Sequence, residues 1–230
     1  MYEFRNLLIV AAPCCCGKTT FVHRLMTGED PDLAERLLRG QWATEPWIYK
    51  DMFMHEAEIV ALARRGAGNV MLHYTLPYPA PRFLLRPGYD KQSRLAMLRR
   101  SRQTSAVTLL ACRSTLLRRV SQRRGRIFQR LERGQISRWK AYRLLATLNH
   151  LERVYASKDR LRGIYARWFG FLRDSGVRDH HLVDVTGTPR LITESEWDAV
   201  VSAWDPPSSV DVAPAEPAAR APGFVVAHRA

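Results

Sequence analysis

The chain has 230 residues and a mass of 26.4 kDa, with 46% apolar and 25% charged residues. Those proportions exclude a wholly disordered chain, a collagen and a coiled coil, and the length suits one domain with a small insertion. The net charge of +14 is unevenly placed, because 82–173 holds 24 Lys/Arg against 4 Asp/Glu and the remainder 12 against 18. Such a basic half expects anions: phosphates, sulfated groups, nucleic acid or an acidic membrane surface. Arginine decorating solvated helices reads the same way in sequence.

No stretch approaches the roughly 20 apolar residues of a membrane helix, so no transmembrane segment is expected. The four cysteines are Cys14, Cys15, Cys16 and Cys112. Three in a row do not make a disulfide framework, and no CxxC pair suggests zinc. A reducing, cytoplasmic setting is expected. The N-terminal LLIVAAPC has a little of a lipoprotein signal, but its apolar core, 7–12, is only six residues long. Pro13 stands where a small residue is wanted, and the segment runs straight into GKTT. It reads as a buried strand.

In chain order, 6–12 is a continuous apolar run, as in a parallel strand covered on both faces. A turn and a helix over 17–26 follow, broken by Gly28 with Asp30 and Pro31. A short helix is expected at 32–39, and an irregular stretch or short strand at 42–50. The 51–65 segment reads as a helix with Asp51 as N-cap and Gly66 as its stop. VMLHYTL, 70–76, is a second buried strand. PYPAPRFLLRPG holds four prolines and must be loop. A basic helix over 89–101 and a third buried strand over 106–111 come next. A helix starts over 113–124, and 127–170 reads as mostly helical with breaks at Gly134 and Gly163. A last short strand over 181–185 and a helix over 194–204 complete the pattern. Strands alternate with helices, so the class is α/β, a mainly parallel sheet sandwiched by helices. The segment 205–230, rich in Pro, Ala and Ser, reads as a disordered tail. No internal repeat is visible.

The most specific signal is APCCCGKTT: Ala12, Pro13, Cys14, Cys15, Cys16, Gly17, Lys18, Thr19 and Thr20. It fits Ala or Gly, four residues of any kind, then Gly-Lys and Ser or Thr, between an apolar strand and a helix. Such a loop turns successive backbone N–H groups inward to hold phosphate oxygens, and the helix adds the positive end of its dipole. Gly17 permits close approach, Lys18 supplies a cation to the β- and γ-phosphates, and Thr19 offers a hydroxyl to Mg²⁺. In these residues the chain resembles the P-loop NTPase superfamily. The cysteines occupy positions where side chains are expected to point outward and small residues fit. They read either as small filler or as thiols made oxidisable by the helix N-terminus and Lys18.

Two branches of the superfamily are similar in further detail. In the nucleotide-kinase-like branch, a strand after the second helix ends in Asp and then Gly-Thr; here Thr75 fits and His73 replaces the carboxylate. AVTLLACRSTLLRRVSQRRGRIFQR resembles the kinase strand and Arg-bearing lid, over about 113–170. The resemblance places Arg119, Arg123, Arg124, Arg126 and Arg130 at the transferring phosphoryl group, where cations and Mg²⁺ stabilise spreading charge. Asp51 is the candidate for positioning or deprotonating an acceptor hydroxyl, and helix capping is its other reading. Thr19, with Asp184 if that strand lies nearby, would hold the metal. The second branch is the sulfotransferases that use 3′-phosphoadenylyl sulfate without an obligatory metal. There His73 would be the base, and Arg113 with Ser121, eight positions on, would hold the 3′-phosphate. GKTT is the ATP form and argues for the first branch. His73 also reads as a core or strand-end residue, and His180 and His181 read as structural.

A third class is a nucleic-acid-binding protein with a vestigial loop, using the 82–173 basic segment. No helix-turn-helix, RNP or zinc pattern accompanies it. The expectation is one P-loop domain over 1–204 with an Arg-rich helical lid. It would bind ATP with Mg²⁺ and transfer a phosphoryl group to a small, hydroxyl-bearing acceptor, which an Arg-rich site suits if it is anionic.

Overall fold

The structure, a computed structural model, describes residues 4–38, 47–51, 69–76 and 101–204. The expected helix over 52–65, the proline-rich loop, the basic helix up to residue 100 and the tail over 205–230 lie outside the described residues. Six strands are present in them: β1 (Phe4–Ala12), β2 (Trp47–Asp51), β3 (Asn69–Thr75), β4 (Ser101–Leu110), β5 (Asp179–Asp184) and β6 (Arg190–Ile192). Six helices accompany them: α1 (Lys18–Thr27), α2 (Pro31–Leu38), α3 (Arg113–Glu132), α4 (Arg138–Ala156), α5 (Lys158–Asp174) and α6 (Trp197–Ser202). The sheet order is β2-β3-β1-β4-β5-β6; all neighbours run parallel except β6, which returns antiparallel to β5.

The centre of the sheet is β1, whose residues 6–12 are all buried. Its two ends differ in chemistry. At the entry, Asn6 pairs in register with Asn69 and donates its side-chain amide to the Asn69 Oδ1 at 2.7 Å, which satisfies two buried amides with each other. At the exit, Ala11 and Ala12 leave room for the turn that follows. Laterally paired residues of a parallel sheet share a face, so Ala11, Tyr74 and Thr108 lie in one row. Helix α5 covers that row. Trp168 stacks on Tyr74 with ring centroids 4.9 Å apart and donates its indole N–H to the Thr108 Oγ1 at 2.7 Å. The β1-to-β2 and β4-to-β5 connections leave the centre in opposite directions. Right-handed crossovers therefore put α1 and α2 on the face away from α5.

Several expectations are corrected. Ser101 opens β4 rather than ending a helix, because the polar run Ser101–Ser105 pairs with Phe4–Leu8 of β1. Asp51 is the last residue of β2, in register with His73; the helix it is expected to cap lies outside the described residues. Gly163 lies inside α5 and breaks nothing. A helical glycine costs about 1 kcal/mol, and burial of Leu161, Ile164, Tyr165 and Trp168 on one face outweighs that. The break falls instead at Ser157, which ends α4 and accepts a hydrogen bond from the Arg160 N–H to cap α5. Gly134, at φ 66°, does mark the turn after α3. The short β6 was not foreseen. The final helix begins at Trp197, because Glu196 accepts from the Thr193 N–H at 2.7 Å and holds the preceding residues in a turn.

Among the described residues no helix is long and apolar enough to cross a membrane. The weight carried by the α5 contact is testable. Trp168→Ala should lower the unfolding free energy by about 3–5 kcal/mol, read from chemical denaturation; a loss under 1 kcal/mol would place the sheet's main cover elsewhere.

Candidate functional site

Pro13–Gly17 joins β1 to α1 in five residues. The turn is closed by the Cys16 N–H on the Pro13 carbonyl at 3.3 Å, and it needs two left-handed residues, Cys15 at φ 64° and Gly17 at φ 97°. Gly17 takes that conformation freely. Cys15 does so at a cost on the order of 1 kcal/mol, so the surroundings must hold it there. The loop carbonyls are tied from outside. The Ala12 carbonyl accepts from the Leu76 N–H and from the Lys18 Nζ, at 2.9 and 3.1 Å, and the Pro13 carbonyl accepts from the Lys18 Nζ at 2.9 Å. The Tyr155 hydroxyl donates to the Cys14 carbonyl at 2.6 Å. The Arg119 guanidinium donates to the Cys16 carbonyl at 2.6 Å and to the Val185 carbonyl at 2.8 Å.

Helix α1 then begins without a side-chain cap and with no acidic residue in its first turn. Its first intrahelical bond runs from the Phe21 N–H to the Gly17 carbonyl at 2.9 Å. The N–H groups of Thr19 and Thr20 precede it, in the first turn, where a helix supplies no intrahelical acceptor. Lys18 is buried, at 5% exposure, while Thr19 and Thr20 are exposed. A positive helix end, a buried ammonium and two guanidinium groups from α3 thus meet at the carboxyl edge of the central strand, where parallel sheets bind ligands.

The cysteines do not all point outward. Cys16 is fully buried, and its thiol donates to the Leu109 carbonyl at 3.6 Å, beside the Tyr165 hydroxyl on the same carbonyl at 3.1 Å. A small side chain is needed there because the loop folds down onto the end of β4. Burial pushes its thiol up to about 11. Cys14 and Cys15 are half-buried, with sulfurs 3.8 Å apart, and Arg123 Nη1 lies 3.4 Å from the Cys14 Sγ and 3.7 Å from the Cys15 Sγ. A hydrogen bond from the Cys15 thiol, with Arg123 and Lys18 adding positive charge, brings Cys14 down to about 6 against the opposing effect of burial. Cys15, holding the shared proton and itself desolvated, is pushed far up.

The other candidates separate into groups. Arg123 faces the loop, and Arg126 and Arg130 are exposed further along α3. Arg124 turns to α4, pairing with the Glu152 carboxylate at 2.6 Å and the Asn149 Oδ1 at 2.9 Å, and Arg119 braces loop backbone. Arg113 is the first residue of α3; its Nε donates to the Tyr155 carbonyl at 3.3 Å, its Nη2 to the Ala156 carbonyl, and its guanidinium lies 4.7 Å from the Trp204 ring centre. Ser121 is exposed, eight residues on and about 12 Å along the same helix. His73 sits in one sheet row with Asp51 and Val10. Thr75 pairs with Ala12 at the loop's entry. Asp184 ends β5, with β4 between it and β1; it accepts from the Thr186 N–H at 2.9 Å and faces Arg190 at 3.3 Å. His180 is structural: its Nε2 meets the Thr108 Oγ1 at 2.8 Å, and burial, helped by His181, brings it down to about 4.

Tyr155 and Tyr165 are site residues that the sequence reading missed. Each is fully buried, which raises its hydroxyl's pKa well above the usual value and keeps it a neutral donor. No local pattern signals a contact between residues 141 apart, as Tyr155 and Cys14 are.

Removing the hydroxyl strands the Cys14 carbonyl. Tyr155→Phe should therefore cost about 1–3 kcal/mol of stability in urea unfolding, and an unchanged midpoint would mean that the loop holds its shape without α4. No protein-family model matches the sequence, and no curated protein is detectably similar to it.

Proposed function

We propose that the chain is a P-loop nucleotide-binding enzyme that transfers the γ-phosphoryl group of ATP to a small hydroxyl-bearing acceptor. The observation that carries this reading is the set of loop carbonyls held by Lys18, Tyr155 and Arg119. With those carbonyls engaged and the Cys16 N–H spent on Pro13, the N–H groups of Cys14, Cys15 and Gly17 and those of Thr19 and Thr20 in the first turn of α1 are the groups proposed to face a phosphate chain. Lys18 would exchange two neutral carbonyls for phosphate oxygens, so that both partners of the bond carry charge. Arg123, exposed at its far end and aimed at the same loop, would meet charge that develops on the transferring group. Thr19 presents a hydroxyl on the first turn of α1 and would hold Mg²⁺, a metal that takes few protein ligands and fills its octahedron with phosphate oxygens and water. When bound, Mg²⁺ would supply charge neutralisation on the phosphate chain. Asp51 and His73, in one row two strands and one strand from β1, are the groups that would orient or deprotonate the acceptor.

The sulfotransferase reading is weakened by Arg113, whose guanidinium closes the carbonyl end of α4 and stacks on Trp204. A 3′-phosphate would have to draw it away from all three. An anionic acceptor, up to a nucleic-acid strand, is favoured by one feature of the α3–α4 hairpin. Exposed Trp139 and Tyr142 stack with centroids 5.7 Å apart between Arg138, Lys140 and Arg143.

Calorimetric titration separates these readings. ATP with Mg²⁺ should bind, lose much of its affinity in EDTA, and bind about tenfold or more weakly to Lys18→Ala. Equal affinity in that variant would overturn the loop assignment, and EDTA-insensitive binding of 3′-phosphoadenosine 5′-phosphate lost in Arg113→Ala would favour sulfuryl transfer. Replacing Arg123 and Arg126 together by Ala should lower turnover far more than ATP affinity, and an unchanged rate would place both on a solvated face.

A further inference from the structure

We infer that Cys14 is a modification site: a thiolate that a small disulfide of the oxidised-glutathione type captures as a mixed disulfide, closing the loop to phosphate. The capture rests on the thiol cluster alone; its effect on nucleotide rests on the function proposed above.

The chemistry follows from what surrounds the sulfur. Arg123 from α3 stands 3.4 Å away, and Lys18 from α1 adds a second cation. The Cys15 thiol is a donor 3.8 Å away. The Tyr155 hydroxyl from α4 is held on the Cys14 carbonyl and is kept neutral by burial. Among the described residues no acidic group counts among the main influences on this thiol. Two cations and one donor stabilise the thiolate, which is the nucleophilic form, and the position is only partly buried, unlike that of Cys16 or Cys112. The first proton of the pair leaves near pH 6, so Cys14 is ionised at neutral pH. Its competitors are poorer. Cys15 keeps its proton, and Cys16 and Cys112 are buried at 0% and 1% exposure.

An external partner is required. Neighbouring Cα atoms lie about 3.8 Å apart, short of the roughly 4.4–6.8 Å that disulfides span. Cys14 and Cys15 therefore do not close on each other readily. In the exchange, the Cys14 sulfur donates its electron pair to one sulfur of the small disulfide. The sulfur–sulfur bond breaks, and the other half leaves as a thiolate that takes a proton from water. The Cys14 sulfur rises to the disulfide level as the departing sulfur falls to the thiolate level, the number of disulfide bonds is unchanged, and excess thiol reverses the step. The adduct would sit between Lys18 and Arg123, where the phosphates are proposed to lie. Its own carboxylates would find the same cations.

The test uses the full chain. Alkylation by iodoacetamide, followed against pH and mapped by peptide mass spectrometry, should mark Cys14 first, with a half-maximal rate near pH 6. Cys15→Ala removes the largest stabilising contact and should move that midpoint upward; Arg123→Gln should move it the same way. Oxidised glutathione should then add one glutathione to Cys14, abolish MgATP binding, and be reversed by dithiothreitol. In Cys14→Ser the same treatment should change neither the mass nor whatever affinity that variant has. First reaction at another cysteine, or a midpoint in the ordinary thiol range, would overturn the site. Mixed disulfide at Cys14 in a protein that binds no ATP before treatment would uphold the site and overturn the nucleotide reading.

Discussion

The rest of the site depends on which way five peptide units point. Between Ala12 and Cys16 the carbonyls of residues 12, 13, 14 and 16 are each claimed by a group outside the turn: the Leu76 N–H, Lys18, Tyr155 and Arg119. Where the next residue carries an N–H, as after residues 13, 14 and 16, holding the carbonyl also fixes the direction of that N–H, on Cys14, Cys15 and Gly17. The brace therefore fixes the polarity of the concave side, and it does so from three elements, α1, α3 and α4. It also explains how a cysteine tolerates φ 64°, since the residues on both sides of Cys15 are held by buried or half-buried donors.

That arrangement clarifies the arginines. A run carrying twelve Lys/Arg against two Glu over 113–156 invites one explanation, yet its members do different things. Arg119 ties the loop to the strand end at Val185, Arg113 closes α4, Arg124 links α3 to α4, and only Arg123 approaches the loop thiols. The spacing of four between Arg119 and Arg123 puts them on one face of α3, one at the loop's rear and one at its rim. Guanidinium suits both tasks, because its planar fork can bridge two carbonyls or face two sulfurs at once.

What was legible in the sequence follows the range of the interactions. The strand, turn and helix over 4–27 are set by contiguous residues, so the apolar run, Gly17 and the αL stop at Gly28 could be read directly. The parallel α/β class was legible for the same reason, from alternation along the chain. Gly163 misled because its helix is fixed by burial of Tyr165 and Trp168 against β4, a tertiary effect that overrides a local penalty. Cys16 misled because the outward position in the turn is reversed by the end of β4 beneath it. Tyr155 was invisible, since its role exists only once α4 has packed beside a loop far back in the chain. Asp51 could be placed only by pairing of β2 with β3.

The charge balance at this edge joins the thiol chemistry to the phosphate reading. The strands flanking β1 end in Thr75 and Leu110, neither of them acidic, and the nearest strand-end carboxylates among the described residues are Asp51 and Asp184, each one strand further out. Asp184, one strand further, is held by the Thr186 N–H and Arg190. Lys18, Arg119, Arg123 and the α1 terminus are therefore a local excess of positive charge, and the Cys14 thiolate lies among them. An excess of that kind favours whichever anion can reach it. A phosphate chain and the thiolate would draw on the same two cations, so phosphate held at Lys18 and Arg123 would weaken their hold on the sulfur, and protonated sulfur would leave them to phosphate. By linkage the two effects are equal in free energy. If the loop holds phosphate as proposed, a cysteine at this place would couple proton, oxidant and phosphate through shared cations.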